Sequence, residues 1–528
     1  MKPRFFDALL IVPLLFTPAV AGPPVRTVVL ANTQVPGAGA GTLFSGLGLP
    51  ALNNKGQTAF SSILLDGGTA SNTSSVWSEG SGSLALVVRE GAAAPGTEAG
   101  VTFGYTSPPV LSDSGASVFW ASLRGVSNPD NSEGYWSHAN GSLSLVAQPG
   151  SQAPDTAAGV VFSAPLGFYS LPAISDNGTI AISAFIYGPG VDSVNNRGIW
   201  TKSTGNLTLA YRSGTQAPGL DSGVLITGPT LLYTGPVVND AGEIVFLGTL
   251  TGPGTGPTNN QSLWSSGGGS LHMVARTGSQ APGAPEGVTF TDFWEGAWSM
   301  LLNNSGETAF QGVTSDGGYG IWSERGGLHA VARSGQSTPG LPGEAFRDFS
   351  VPVLNAHGHV AFLASLASGK GGLWSEGNGE LALVASTGEQ APGAPAGVTF
   401  AGFGNGSLNG RGQFAFTASL TGLGPAGANG VWVHDIDGVL RAIVRSGDSI
   451  EVEPGDFRIV RSVGFVGGSG NEDGRHSAFN DLGQLAFQAS FTDGTQGIFV
   501  TDIVAIPEPA AWVLALLAFG AVRCRRGS

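Results

Sequence analysis

The apolar residues of this chain fall into short runs between glycine-rich polar turns, and one polar phrase introduces a run in every repeat. It reads LNNKGQTAF from Leu52, LSDSGASVF from Leu111, ISDNGTIAI from Ile174 and VNDAGEIVF from Val238. It returns as LNNSGETAF from Leu302, LNAHGHVAF from Leu354, LNGRGQFAF from Leu408 and FNDLGQLAF from Phe479. Asn opening a tight turn bonds the backbone ahead of it, and Gly three residues on takes a positive φ without steric cost. The runs that follow, such as VAFLASL (Val360 to Leu366) and FAFTASL (Phe414 to Leu420), lack helical periodicity and carry small residues at intervals. That pattern predicts a strand covered on both faces, with Ala or Gly where neighbouring sheets approach. Asn and Gly are expected to fix the turn and the Ala-Phe pair to pack between units. The positions that change are expected on loops or facing solvent.

Other elements keep a constant order. A Gly-apolar-Trp phrase follows each run, giving Trp77, Trp136, Trp200, Trp264, Trp322, Trp374 and Trp432, with Phe499 in the eighth copy. Next come a Gly-rich turn, a strand such as LHMVAR (Leu271 to Arg276), a loop such as RTGSQAPG (Arg276 to Gly283) and a short strand containing Val-Thr-Phe or a relative. This predicts four short strands in each unit of roughly 60 residues. A unit of that size cannot bury two apolar faces alone, so the units stack. The last unit stops after GIFVTDI (Gly497 to Ile503), and its missing strand and Pro-Gly loop stand at the other end of the chain as RTVVLANTQVPG (Arg26 to Gly37). A repeat split between the termini closes a ring and leaves no open edge. The expected fold is therefore all-β: an eight-bladed β-propeller of four-stranded antiparallel blades over residues 22–504, closed by the N-terminal strand.

Composition adds limits. The chain has 528 residues, 85 of them Gly, a formal net charge of −14 and 11% charged residues. An acidic balance with few basic residues excludes a nucleic-acid partner, which needs a basic footprint. The single cysteine, Cys524, lies in the last residues, so the repeats contain no disulfide and no thiolate. Stability must come from packing, which a large chain can supply.

Both ends carry membrane signals. Residues 1–21 hold Lys2 and Arg4, an apolar stretch from Ala8 to Phe16 and Ala19-Val20-Ala21, the pattern of a secretory signal peptide with a signal helix. Residues 505–528 hold Pro507-Glu508-Pro509, an apolar run from Ala510 to Val522, then Arg523, Arg525 and Arg526. As a short transmembrane helix that run would measure about 20 Å against a hydrocarbon core of about 30 Å. The arginines belong on the cytoplasmic side, which places the repeats outside the cytoplasm. This tail resembles the PEP-CTERM sorting signal of Gram-negative bacteria. The resemblance implies exosortase as a partner, anchoring in the inner membrane during transit, and delivery to the cell surface or matrix. It also implies a host that makes extracellular polysaccharide, the setting of a biofilm.

The exported region resembles a family of bacterial exported proteins named for a tandem NxxGxxAF repeat. The matching residues include Asn53-Gly56-Ala59-Phe60, Asn303-Gly306-Ala309-Phe310, Asn355-Gly358-Ala361-Phe362, Asn409-Gly412-Ala415-Phe416 and Asn480-Gly483-Ala486-Phe487. The second and third copies have Ser112 and Ser175 for Asn, and the third has Ile182 for Phe. The resemblance implies location and fold, and no chemistry.

Motifs for chemistry are sparse. No H-E-x-x-H helix, paired-Cys spacing, G-x-S-x-G elbow or phosphate-binding Gly loop is present, so neither metal nor cofactor is expected and no catalytic residue is assigned. His357 and His359 flank the turn residue Gly358 and are expected in a solvated turn. HDIDG (His434 to Gly438) resembles part of a calcium loop but lacks its bidentate Glu, so a plain hairpin turn is expected. Aromatics precede several Asn turns: Tyr105, Tyr169, Tyr233, Trp294 and Trp298, with Phe349 and Phe403 in later copies. On one rim of a ring they would form a stacking platform for sugars; the alternative is packing between blades. The longest connection, Glu453 to His476, gathers Asp456, Arg458, Arg461, Glu472, Asp473, Arg475 and His476 in a chain poor in charge, either as a functional loop or as a charged surface insertion. The expected binding residues are Tyr105, Tyr169, Tyr233, Trp294, Trp298, Arg458, Arg461, Arg475 and His476. The reading favoured here is a surface protein that binds polysaccharide or a surface partner. The alternative is a glycan hydrolase or lyase, which would show an acid and base paired in one pocket.

Overall fold

A computed structural model describes residues 24–66, 69–166, 171–228, 235–293, 300–422, 428–470 and 472–502. The signal helix and the sorting segment expected at the two ends lie outside them. Among the described residues no helix is long and apolar enough to cross a membrane.

The described strands form eight antiparallel sheets, one per repeat. Each blade is a meander, and in blades 1 to 6 its innermost strand is broken into two pieces, whereas in blade 7 it runs unbroken as Thr399–Leu408. In blade 2 these pieces are Thr102–Thr106 and Val110–Leu111, both paired with Ser117–Arg124, which is followed by Glu133–Ala139 and Ser142–Ala147. The eighth blade is completed by the chain's own beginning. Val25–Leu30 pairs antiparallel with Gln496–Asp502, with Thr27 opposite Phe499 and Val29 opposite Ile498. The expected ring, its blade count and its closure are all present.

Packing between blades follows from the two-residue period of a strand. Ala309 of blade 5 shares a core with Phe346, Phe362 and Trp374 of blade 6, whereas Phe310 packs back against Val245 and Leu263 of blade 4. Blade 6 repeats the arrangement, with Ala361 against Phe400, Phe416 and Trp432 of blade 7. Small and large residues on adjacent positions therefore face opposite neighbours, which lets twisted sheets approach without voids. In most blades the Pro-Gly loop satisfies the buried indole: Trp136 Nε1 donates to Pro95 O at 3.1 Å, Trp322 to Pro282 O at 3.0 Å and Trp432 to Pro392 O at 3.1 Å, whereas Trp77 and Trp264 donate to Ser75 Oγ and Ser262 Oγ on their own strands.

Asn does more than fix its turn. Asn53 Oδ1 accepts from the amides of Lys55 and Gln57, both at 3.0 Å, while its Nδ2 donates to Ser112 O in the next blade at 2.9 Å. The same handover runs from Asn239 to Asn303 O, Asn303 to Asn355 O, Asn355 to Asn409 O and Asn409 to Asn480 O. Asn480 then donates to Asn53 O at 2.9 Å and joins the two ends of the chain. Where Ser112 and Ser175 stand, backbone and neighbouring groups carry the link: Ser114 N–H donates to Asp176 O and Asn177 Nδ2 to Asp240 O. The turn Gly is also held from outside. Gly115 and Gly412 have φ of +84° and +85°, and any side chain on them would overlap the backbone of Gly80 and Gly377 in the preceding blade. The expectation that changing positions face solvent is corrected at the residue after the motif Asn or Ser, whose side chain reaches the neighbouring blade: Asp113 Oδ1 accepts from Asn54 N–H at 2.6 Å, Asp240 Oδ1 from Asn177 N–H at 2.8 Å and Asn304 Oδ1 from Asp240 N–H at 2.8 Å.

Candidate functional site

A ring of blades leaves the inner strand edges facing a common axis, and their amide hydrogens need partners there. The long connection of blade 8 supplies them. Its first part, Asp456–Gly464, is the inner strand of that blade. The described residues that follow, 465–470 and 472–479, cross the axis as a plug. Leu52 N–H donates to Ser477 O at 2.8 Å, Ile174 N–H to Gly474 O at 2.8 Å and Val238 N–H to Asp473 O at 3.1 Å. Leu408 N–H donates to Gly468 O at 3.2 Å, and Leu354 N–H to Ser469 Oγ at 3.1 Å. Blades 1, 3, 4, 6 and 7 are thus tied to one segment.

The plug carries its own charges inside. Arg475 pairs with Asp473 at 2.5 Å, their side chains 8% and 2% exposed, and donates to Met300 O of blade 5 at 2.6 Å. Beside it lies a cavity of about 510 Å³. One wall is the plug, through Val466, Gly468, Ser469 and His476; the other is the break in the inner strands of blades 1 and 6, through Leu49, Val351 and Pro352, and the bulge of the blade 7 inner strand at Gly404. His476 is enclosed by protein yet faces this space, and burial lowers its imidazole to about 4, so it is neutral at physiological pH. The recess is mostly apolar, with Ser350, Ser469, Asp473 and His476 as its polar points, the usual make-up of a ligand pocket. The only carboxylate among the described lining residues, Asp473, is held by Arg475.

The predicted site residues separate. Arg475 and His476 lie in the plug, not on a surface insertion, because the axis has amides to satisfy and solvent does not need them. Arg458 and Arg461 stand apart on the inner strand of blade 8, where Arg458 pairs with Asp456 at 2.8 Å and Arg461 is exposed. Tyr105 is 57% exposed on the inner strand of blade 2, near the half-buried Trp120 at 6.4 Å between ring centroids. The later members of that series, Phe349 and Phe403, do not join a platform. They pack edge-on against Phe362 and Phe416 in the cores between blades. Tyr169, Tyr233, Trp294 and Trp298 lie outside the described residues. His357 and His359 sit on their turn with rings 6.1 Å apart, and HDIDG is a hairpin turn closed by Gly438 N–H to Asp435 O.

One feature was missed at the level of sequence. The residue after the motif Asn or Ser is acidic in blades 2, 3, 4 and 8, as Asp113, Asp176, Asp240 and Asp481, and these converge at the Asn-turn end of the axis with Glu472 of the plug. Its signal was legible as a recurring Asp one place past a conserved turn residue. Burial, then repulsion from Asp113, Glu472, Asp240 and Asp481, pushes Asp176 up to about 9. Burial and the charges of Asp481, Asp240 and Asp473 push Glu472 up to about 8. In an unfolded chain such carboxyls ionise near pH 4, so the folded ring holds more protons from roughly pH 4 up to about 8 for Glu472 and about 9 for Asp176. Stability therefore falls as pH rises through that window. His476 acts oppositely: the unfolded chain takes up its proton below about pH 6.5, so its contribution is lost as pH falls towards the folded value of about 4. Above about pH 6.5 only the acids remain, and thermal unfolding temperature is expected to drop from there to pH 9. Asp176→Asn with Glu472→Gln should flatten that slope, as calorimetry at successive pH values would show.

A family model described as a family of unknown function, DUF7453, matches twice in tandem, over residues 19–228 and 226–513. The chain belongs to this family. The junction between its two matches falls in blade 4, at the strand Leu225–Ile226, so the first match takes blades 1 to 3 and the second takes most of blades 4 to 8. No curated protein matches the chain. Among solved structures it is similar to the Dos1 propeller, with 11% identity over 87% of this chain and 94% of that one and a TM-score of 0.38. It is similar to the acylaminoacyl peptidase of Pyrococcus horikoshii, with 12% identity and a TM-score of 0.34, over 76% of this chain and about half, 52%, of that one. A third is the six-bladed fucose-recognising lectin of Aleuria aurantia, with 11% identity over 67% and 97% of the two chains and a TM-score of 0.26. At these identities and scores they say nothing about what this chain binds.

Proposed function

We propose that this family member is an exported propeller, held by its C-terminal apolar run and sorted by exosortase at Pro507-Glu508-Pro509, that binds extracellular polysaccharide at its axis. The observation that carries binding over cleavage is the recess beside the plug. Glycoside cleavage needs two carboxyl groups at a set separation across one bond. The recess offers a single described carboxylate, and that one is committed to a guanidinium. Tyr105 supplies an exposed aromatic face on an inner strand, and Tyr169, Tyr233, Trp294 and Trp298 belong to the equivalent stretch of blades 3 to 5. Such faces take the apolar side of a sugar ring with little loss of side-chain freedom.

The test is retention on polysaccharide prepared from the producing cells. Tyr105→Ala, Tyr169→Ala and Tyr233→Ala together should reduce retention about tenfold or more, since each stacking contact contributes about 0.5–1.5 kcal/mol. Retention equal to the parent protein, with unfolding temperature unchanged, rejects the reading.

A further inference from the structure

The recess beside the plug is too poor in unspent polar groups to take a bare sugar ring. Ser350 Oγ accepts from Leu363 N–H at 3.2 Å and donates to Val351 O at 3.4 Å, and the Asp473 carboxylate is held by Arg475. Ser469 differs. Its Oγ accepts from Leu354 N–H at 3.1 Å, which leaves its own hydrogen to donate to a ligand. A sugar ring carries several hydroxyls, and each one taken from water without a partner costs more binding than its contacts return. The rest of the wall is hydrocarbon, including Leu49, Val351, Phe362 and Val466. A dry cavity of about 150 Å³ already holds benzene. At about 510 Å³, this one has room for a flexible chain.

Charge narrows the ligand further. No Lys or Arg stands among the described lining residues, and His476 is neutral at physiological pH. An anionic head would be buried there without a cation, a cost that a neutral group avoids. The mouth is open to solvent, with Leu49 37% exposed and Val351 and Val466 half-buried. In the neighbouring blade the exposed Tyr105 lies just before the equivalent break in the inner strand.

We propose that the recess takes a neutral acyl group, carried by ester or amide linkage on a sugar of the bound polysaccharide, with Ser469 Oγ donating to the acyl carbonyl. This assignment rests on the reading of the axis as a polysaccharide site. The aromatic faces hold sugar rings, and the recess selects the chains that bear the substituent.

The experiment titrates the purified full chain by calorimetry with N-acetyl-, N-butanoyl-, N-hexanoyl- and N-octanoylglucosamine, each below any micelle-forming concentration. Every added methylene should strengthen binding about fourfold until the recess is full. Octanoate, ionised at about pH 8, should bind more weakly than N-octanoylglucosamine by about tenfold or more, because its charge meets no cation. Leu49→Glu and Val351→Glu, at partly exposed positions of the wall, should each weaken the N-octanoyl sugar by about tenfold or more. Leu86→Glu, on the outer strand of blade 1, should leave it unchanged. Affinity of the parent protein that does not rise with chain length overturns the proposal, whether or not the variants fold. Octanoate binding as tightly as the N-octanoyl sugar overturns the sugar-borne source in favour of a free fatty acid.

Polysaccharide from the producing cells, intact and de-acylated by alkali, separates this inference from the reading beneath it. A fall in retention of about tenfold or more on de-acylation supports both. Equal retention on the two preparations rejects the acyl group and keeps the polysaccharide reading. No retention on either, with chain-length-dependent binding of the acyl sugars, rejects the polysaccharide reading and keeps the acyl site.

Discussion

Deletion of Pro24 to Ala31 is expected to abolish cooperative unfolding of the protein. This segment is the outer strand of blade 8, and without it Gln496–Asp502 becomes an open edge carrying the buried Ile498, Phe499 and Val500. The lost burial includes Val29, Leu30 and Ala31, at 6%, 3% and 5% exposure. The two large side chains alone are worth about 3–6 kcal/mol at about 1.5–3 kcal/mol each. A single domain is typically stable by about 5–15 kcal/mol, so little or nothing would remain. The exposed strand is also a template for pairing between chains, so size-exclusion chromatography should show aggregate. A monomer that melts at the parent temperature would mean that the ring does not depend on this strand.

The second large effect is expected from Arg475→Ala, with a loss of about 3–5 kcal/mol in stability. The substitution strands the Asp473 carboxylate, 2% exposed, without its guanidinium, and frees Met300 O from its donor. Removing one partner of a buried pair costs more than removing both, so Arg475→Met combined with Asp473→Asn should recover most of the loss. Chemical denaturation of the single and double variants separates these outcomes. A single variant within about 0.5 kcal/mol of the parent would show that the plug's ion pair does not hold it on the axis.

The aromatic series shows why part of the site stayed hidden. In blades 5 to 7 the second aromatic stands three residues after the first, as Phe290 and Phe293, Phe346 and Phe349, Phe400 and Phe403. A bulge between them inserts one residue, so both point into the same core. In blade 2 the spacing from Phe103 to Tyr105 is two, and the irregularity there turns Tyr105 outward. A difference of one residue changes the face, and a bulge cannot be located from spacing alone. The plug was legible as an anomaly of length and charge in Glu453 to His476. Its destination was not, because the amides of Leu52, Ile174, Val238 and Leu408 become a target only when separate blades are brought together. Asn53 likewise announces its turn through bonds to Lys55 and Gln57, while its bond to Ser112 O, 59 residues away, has no local trace.

The sequence by itself determined the repeat, its strands, the Asn turn and the split closing blade, because each follows from local periodicity and turn chemistry within one unit. Tertiary structure alone decided that the charged connection lies on the axis, that the turn Asn links neighbours, and that acids of four blades and the plug converge there, with Asp176 and Glu472 buried. Those features depend on burial and on partners supplied by distant blades, and free energies of that kind exist only once the ring has formed.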